Sequence, residues 1–496
     1  MISPFSSEKF AVSNLCKVLL ILGLALYFIS IFVSNENPNC PSSDFLSYFK
    51  RKLVKVKDFS PPPVFNNVSC HKTFNESATD LNHIVFGLLG SENAWHWRRP
   101  YIESWWRPNV TRGLMFLDKY PTGELLPWSE ASPPFKVSDD LTTFLDETKA
   151  RAPIMIRMVH GIMEVLREVE KLGDHEQIRW LVMGDDDSIF FVDNLVDVLG
   201  EYDHKRYYYL GGQSEFVLSN YWFQFNQAFG GAGIILSYPL AKALAKDMDS
   251  CLRRYAHLSS ADLITMACVG DIGVNLSPNK GIHQIDLRGD LSGFLSSHPK
   301  FPLLSLHHFD HVNPIFPSKD RSESTRHLMK AADADQSRLL QQTICYDRKN
   351  KWTFSISWGY SAHIYEKIMT RSYIQNPIET FQPWSGGHRP PLYMFNTRLP
   401  SNDPCEAPHG FFLQEVNKSS SGTLTVYSRA APRGMGPCKL AGNQSAEFIS
   451  EIHVLSPATK RPQVGFDRIL LLIKYKVYIE IYLAFAILEY QGRSHM

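Results

Sequence analysis

Three adjacent carboxylates, Asp185, Asp186 and Asp187, follow directly on the apolar run IRWLVMG at 178–184. Like charges packed side by side disfavour one another's ionised forms, so such a triplet at the end of a buried strand makes sense if a cation offsets it. Carboxylate oxygens suit a hard divalent ion such as Mg2+ or Mn2+, which commonly bridges protein carboxylates to substrate phosphates. Asp also favours helix starts, so a charged turn or a cap for the following FVDNLV segment is an equal reading. Two imidazoles, His307 and His308, close the stretch SLHHFD at 305–310. A neutral imidazole can bind Mn2+, although a single histidine there is more often structural. Gly230, Gly231 and Gly233 frame a turn that lets backbone approach a ligand, without dinucleotide-fingerprint or Walker A spacing. No Cys/His cluster has zinc spacing.

To act together these groups must be carried to one place by ordered elements. HIVFGLLGS (83–91) and GLMFLD (113–118) read as strands, and the Trp/Arg-rich segment WHWRRPYIESWW between them reads as helix. Ile156, Val159, Met163, Leu166 and Val169 recur at helical spacing, which predicts a helix over 154–172 packed on a sheet. The alternation continues with IRWLVMG as strand, FVDNLVDVLGEY (191–202) as helix, RYYYLGG (206–212) as strand and GGAGIILS (230–237) as a glycine turn into a strand. Pro239 then opens a helix at a position that tolerates proline. Alternating strands and helices predict a largely parallel sheet covered by helices, an α/β fold. Beyond Pro317 the segments at 350–360, 409–416 and 421–429 alternate like strands among Pro/Gly-rich connections, giving a mostly β C-terminal module over 326–465.

The 496 residues carry 51 Lys+Arg against 50 Asp+Glu, and this balance argues against a nucleic-acid binder. Residues 18–33 form an apolar run that Leu15 and Cys16 extend across Lys17, long enough for a signal anchor at 15–34, with Lys9 and Lys17 before the run and Glu36 after it. The positive-inside rule then puts a tail at 1–14 in the cytosol and the rest in the lumen, a cleaved signal peptide being the other reading. Residues 35–80, with a basic patch and Pro61–Pro63, read as a stem. Asn-x-Ser/Thr triplets at Asn67, Asn75, Asn109, Asn275, Asn417 and Asn443 fit a lumenal chain. Cys251 and Cys268 are the best candidate disulfide, because their short loop closes between a helix and the next segment. The hydrophobic tail at 466–496 is atypical: Lys474, Lys476 and Glu480 make it a poor spanning helix.

The ordered set WLVMGDDDSIFFVDNL, YYYLGGQSE, FGGAGIILSYPLAKAL, GIHQIDLRGDLSGFLSSHP and SLHHFDHVNPIFP resembles the plant Fringe-related β-1,3-glycosyltransferases, a GT31-like family that carries the domain of unknown function DUF604. The resemblance is strong over about 80–320 and weaker beyond. It implies a GT-A catalytic domain at 81–325 in a single-pass type II Golgi membrane protein. The implied reaction is inverting transfer from a UDP-sugar with Mn2+. Carried over, Asp187 is the direct metal ligand, Asp185 and Asp186 assist metal or sugar-nucleotide contacts, and His307 or His308 matches the family's histidine. Gly231, Ala232 and Gly233 would border the donor or acceptor groove. Asp262 fits one position of the family's acidic pair and would be the general base, but Leu263 stands where a second acid is usual. That departure leaves a catalytically silent, carbohydrate-binding or scaffolding paralogue as the alternative, and a helix cap as the bland role for Asp262. A metal-dependent lumenal hydrolase would need water admitted at the same site. Expected partners are the UDP-sugar, a glycan or glycoprotein acceptor and the Golgi membrane, with a homodimer left open and no nucleic acid.

Overall fold

The computed structural model describes residues 77–171, 177–387, 389–439 and 445–460, and, by backbone alone, the strands Leu472–Val477 and Leu483–Ala486. The expected anchor at 15–34, nearly all of the stem, Cys16, Cys40, Cys70, Asn67, Asn75 and Asn443 lie outside the described residues. Among those described, no helix is long and apolar enough to cross a membrane.

Strand β1 (Ile84–Gly90) is apolar throughout and buried on both faces, which places it inside a sheet. It pairs in parallel with β2 (Arg112–Leu117) on one side and β4 (Trp180–Asp185) on the other. With β3 (Phe135–Val137), β6 (Tyr209–Gly211), β7 (Ile234–Ser237) and β8 (Leu276–Pro278) they form a seven-stranded sheet in the order β3-β2-β1-β4-β7-β6-β8. Only β7 runs antiparallel to its neighbours, so the expectation of a largely parallel, helix-covered sheet holds. β5 (Ile189–Phe190), β9 (Ile282–Gln284) and β11 (Ser305–His307) make a three-stranded sheet in the order β5-β11-β9.

One face of the large sheet is covered by the helices Pro153–Glu170, Tyr238–Tyr255 and Ala261–Asp271. On the first of these, Ile156, Val159, Leu166 and Val169 are buried as the spacing predicts. Met163 is only partly buried, and Ile162 and Val165 take the inner positions beside it. The opposite face, including Phe86, Trp180 and Val182, shares one apolar cluster with Trp358, Tyr360 and Phe411 from the C-terminal sheet. That sheet is antiparallel and has eight strands in the order β12 (Gln342–Asp347), β13 (Trp352–Ser357), β14 (Ser361–Tyr365), β16 (His409–Ser419), β17 (Gly422–Arg429), β18 (Ile449–Ser456), β19 (Leu472–Val477) and β20 (Leu483–Ala486). It therefore continues past residue 465: two stretches of the atypical tail are strands, β19 pairing onto β18 and β20 onto β19. A short pairing of β10 (Leu287–Gly289) with β15 (Phe381–Pro383) brings the segment behind Phe381 beside β9 and β11.

The expected disulfide Cys251–Cys268 is present, and a second joins Cys405 to Cys438. The first ties the helix Tyr238–Tyr255 to the helix Ala261–Asp271 across a separation of 17 residues. Closing a loop of that size stabilises by about 3 kcal/mol in the chain-entropy picture. Replacing both cysteines by serine is expected to lower the melting temperature, and adding reductant should lower it in the unmodified protein but not further through this bond in the variant. Equal melting temperatures for the two proteins under oxidising conditions would contradict it.

Candidate active site

The acidic triplet lies where β4 ends, with Leu89 of β1 in register with Asp185. A tight turn follows: the Asp185 N–H donates to Ser188 Oγ (2.7 Å), and that hydroxyl donates to the Gly231 carbonyl (2.5 Å). The triplet does not cap the next helix, which begins at Val192 behind Phe191. Asp187 is fully buried, and its Oδ2 has no hydrogen-bond partner.

His307 and His308 have different carboxylate partners. His307 ends β11, and its Nε2 lies 3.2 Å from Asp187 Oδ1 and 3.8 Å from Asp185 Oδ2. His308 has a left-handed backbone (φ 69°), and its ring lies beside that of His307 (centroids 3.9 Å apart, planes tilted by 30°) with Nδ1 3.0 Å from Asp286 Oδ1 rather than on the triplet. Its ring stacks parallel on Trp384 at 4.7 Å, with the Arg288 guanidinium 5.1 Å over the same indole. Trp384 arrives directly after β15, from the C-terminal part of the chain.

Hydrogen bonding fixes the His307 tautomer. Gln284 donates through Nε2 to Asp286 Oδ1 (3.0 Å), so its Oε1 must be the atom facing His307 Nδ1 (2.9 Å). Nδ1 therefore carries a proton, and in the neutral imidazole Nε2 presents its lone pair to the Asp185 and Asp187 carboxylates. Burial pulls the His307 pKa below its ordinary value, which favours this neutral form. A lone pair and two carboxylates converging on one buried point repel one another unless a proton or a cation lies among them. Asp185, Asp187 and His307 bring their ligand atoms within 4.8 Å of one another. Two carboxylates and an imidazole suit a divalent cation, and the unpartnered Asp187 Oδ2 supplies a further donor.

Glycine is required behind this ring. A Cβ on Gly231 would sit 2.0 Å from His307 Cε1 and 2.3 Å from its Nε2. Gly231, Ala232 and Gly233 are all buried, Ala232 accepting a hydrogen bond from Ser305 Oγ, and Gly230 is the half-exposed member of the turn. What the turn contributes here is close backbone support for His307. Gly231→Ala is expected to push the ring off its place and weaken Mn2+ binding by roughly tenfold or more, an energy of about 1.4 kcal/mol. Gly436→Ala, where a Cβ meets open space, is the control, and equal Mn2+ affinity in calorimetry for both variants would refute the prediction.

Asp262 comes to the same place from the first turn of the helix Ala261–Asp271. Its Oδ1 accepts from the Gly230 N–H at 2.8 Å. The cap of that helix is Ser260, so capping is not what Asp262 does. Burial pushes Asp262 up to about 7 against that hydrogen bond. Burial, then repulsion by Asp187, Asp186 and Asp262, lifts Asp185 well above the carboxylate range. Burial lifts Asp186 to about 6 despite the Arg98 guanidinium bonded to it.

Several residues here carry no individual signal in the sequence. Arg98, on the helix Glu92–Glu103, donates to Asp186 Oδ1 (2.7 Å) and Asp310 Oδ2 (2.7 Å) and lies 3.5 Å from Asp187 Oδ1. It is the countercharge that lets the triplet fold. Asp286 accepts from Ser214 Oγ (2.5 Å), Gln284 and His308, and despite burial His308 and Ser214 hold it below the carboxylate range. The i, i+2 spacing of Gln284 and Asp286 was the available clue, since alternate strand residues share a face.

Two family models match the chain. The one described as "Protein of unknown function, DUF604" covers residues 219–467, half of the sequence, and the one described as "Fringe-like" covers residues 142–289. The second contains the acidic triplet, the Gly231 turn, Asp262 and Asp286, while His307 and Trp384 fall within the first alone. Comparison with curated proteins returns no match.

Proposed function

The chain belongs to the DUF604 family, Fringe-related and GT31-like, and from that premise we propose that it is an inverting β-1,3-glycosyltransferase of GT-A fold that uses a UDP-sugar and Mn2+. Fringe-like membership supports glycosyl transfer in general. The observation that carries the finer reading is the convergence of His307 Nε2 with the Asp185 and Asp187 carboxylates. The largely parallel sheet, with the acidic turn at the end of β4, supports the GT-A assignment. We place the protein in the Golgi membrane as a single-pass type II protein on the apolar run at 15–34.

In this reading Asp185, Asp187 and His307 hold Mn2+, which when bound supplies positive charge against the departing diphosphate. Gln284 keeps His307 in the tautomer that can ligate, and Gly231 keeps its ring in place. Arg98 holds Asp186 and Asp310 and lies 3.5 Å from Asp187 Oδ1, so it offsets part of the triplet's charge. Asp262 accepts the proton of the acceptor hydroxyl as that oxygen bonds to the anomeric carbon. The bond from that carbon to the phosphate oxygen breaks on the opposite face, UDP leaves with the electron pair, and configuration inverts.

The test is UDP release by the full chain in detergent, with a panel of UDP-sugars, Mn2+ and candidate glycan acceptors. Acceptor-stimulated release with one donor is the expected result. Leu263, in place of a second acid, favours the silent paralogue as the second reading. UDP binding without turnover in any pairing would shift the assignment to it, and absence of Mn2+-dependent UDP binding would overturn both.

A further inference from the structure

From the end of the short helix Val217–Trp222 toward the Gly230 turn the chain reads Asn220-Tyr-Trp-Phe-Gln-Phe-Asn-Gln227, rings interleaved with amides. Four of these rings face outward: Tyr221 is 70% exposed, Trp222 51%, Phe225 49% and Phe223 39%. Four exposed aromatic rings within five consecutive residues mark a contact face. No charged residue occurs from Phe216 to Ala241.

The segment is held from behind. Asn220, fully buried, accepts from the Ser214 N–H and donates to the Ser214 and Phe216 carbonyls. Ser214 in turn donates to Asp286, which holds His308. Gln213 Nε2 donates to the Phe225 carbonyl (2.8 Å), and Asn226 donates to Asn275 Oδ1 (3.2 Å). The Phe223 ring meets the Phe229 ring edge-on at 6.3 Å, and the next residue, Gly230, carries the N–H bonded to Asp262. Exposed rings are thus fixed on a short, braced path that leads to the proposed base.

We infer that Tyr221, Phe223 and Phe225 form the platform on which the acceptor docks, and that the acceptor is a neutral glycan whose pyranose faces stack on these rings. The inference rests on the transferase reading for the occupant's role. Pyranose rings present an apolar C–H face and a rim of hydroxyls, which suits aromatic faces separated by amides such as Gln224. The absence of charge across the segment argues against an acidic sugar or a phosphorylated acceptor. It argues equally against a membrane-surface loop, which would pair apolar residues with Lys or Arg.

The test uses the full chain in detergent and the double substitution Tyr221→Ser/Phe225→Ser, with thermal melting to check folding. An array of neutral oligosaccharides that includes lactose, N-acetyllactosamine, cellobiose and xylobiose is probed without any UDP-sugar, and the oligosaccharide bound is then titrated against intrinsic tryptophan fluorescence. The expected result is binding by the unmodified protein and a loss of roughly tenfold or more in the variant, with Mn2+-dependent UDP affinity retained. In transfer assays the same variant should raise KM for the acceptor and leave KM for the donor alone. The proposal is overturned if the unmodified protein binds no neutral oligosaccharide, if the variant binds as well, or if the substitution instead abolishes adsorption to phosphatidylcholine vesicles. Oligosaccharide binding that depends on Tyr221 and Phe225 in a protein that fails to bind UDP would sustain the platform while the transferase reading falls.

Discussion

Asp187→Ala is expected to abolish Mn2+-dependent UDP binding while leaving the fold standing. Asp187 is the triplet member with no exposure and with an oxygen that nothing in the described structure satisfies. Its other oxygen lies nearest the His307 lone pair. Without it, Asp185 and His307 alone face the ion, and Mn2+ affinity should fall by roughly a hundredfold or more, about 2.7 kcal/mol. The metal-free protein behaves differently. Removing one buried carboxylate relieves its repulsion with Asp185, and Arg98 keeps its bonds to Asp186 and Asp310. The metal-free melting temperature should therefore be unchanged or raised. In the unmodified protein Mn2+ at 100 times its Kd should stabilise by about 2.7 kcal/mol, and in the variant this gain should vanish. Calorimetry that finds UDP affinity unchanged with Mn2+ present would sink the metal assignment. A variant that melts early without metal would mean that Asp187 serves the fold.

The order of strands and helices, the strand that delivers the acidic triplet and the Cys251–Cys268 pair were legible because each rests on local signals: apolar runs, helical spacing and short loop closure. The histidine pair was not. Adjacent strand residues point to opposite faces, but which of the two stays on the strand depends on the left-handed turn at His308, which no pattern in the sequence announces. Arg98 was out of reach for a different reason: an arginine in a Trp/Arg-rich helix is unremarkable until folding brings it, across 88 residues, onto Asp186. Gln284 shows a third limit. Its amide sets the His307 tautomer only because Asp286 orients it, a relation among three side chains that no pairwise spacing encodes. The tail was read as a poor spanning helix from its charged residues, and β19 and β20 account for that pattern, since a strand tolerates lysines where a membrane helix does not.

Asp262→Asn should lower kcat by about 10²–10⁴-fold with UDP and Mn2+ affinity unchanged. The amide is close in size and its Oδ1 can still accept from the Gly230 N–H, so the turn behind His307 should keep its shape. What is lost is the ability to take a proton. Two buried carboxylates compete for that role. Asp286 already accepts from Ser214, Gln284 and His308, and His308 and Ser214 hold it below the carboxylate range, which makes it a poor base. Asp262 accepts a single backbone hydrogen bond, and burial pushes it up to about 7, which makes it the stronger base once ionised. The two assignments differ in their pH dependence. A base must be deprotonated to act, so with Asp262 the rate rises as pH increases and levels off once Asp262 has ionised, at or below about pH 7 because a nearby cation would draw the value down. With Asp286 the rate would be flat across that interval, because its proton is lost at lower pH. A flat profile from pH 5 to 8 together with wild-type turnover in Asp262→Asn would move the base to Asp286; an acid limb that disappears with the turnover would keep it at Asp262, and would mean that a single carboxylate suffices where Leu263 replaces the second.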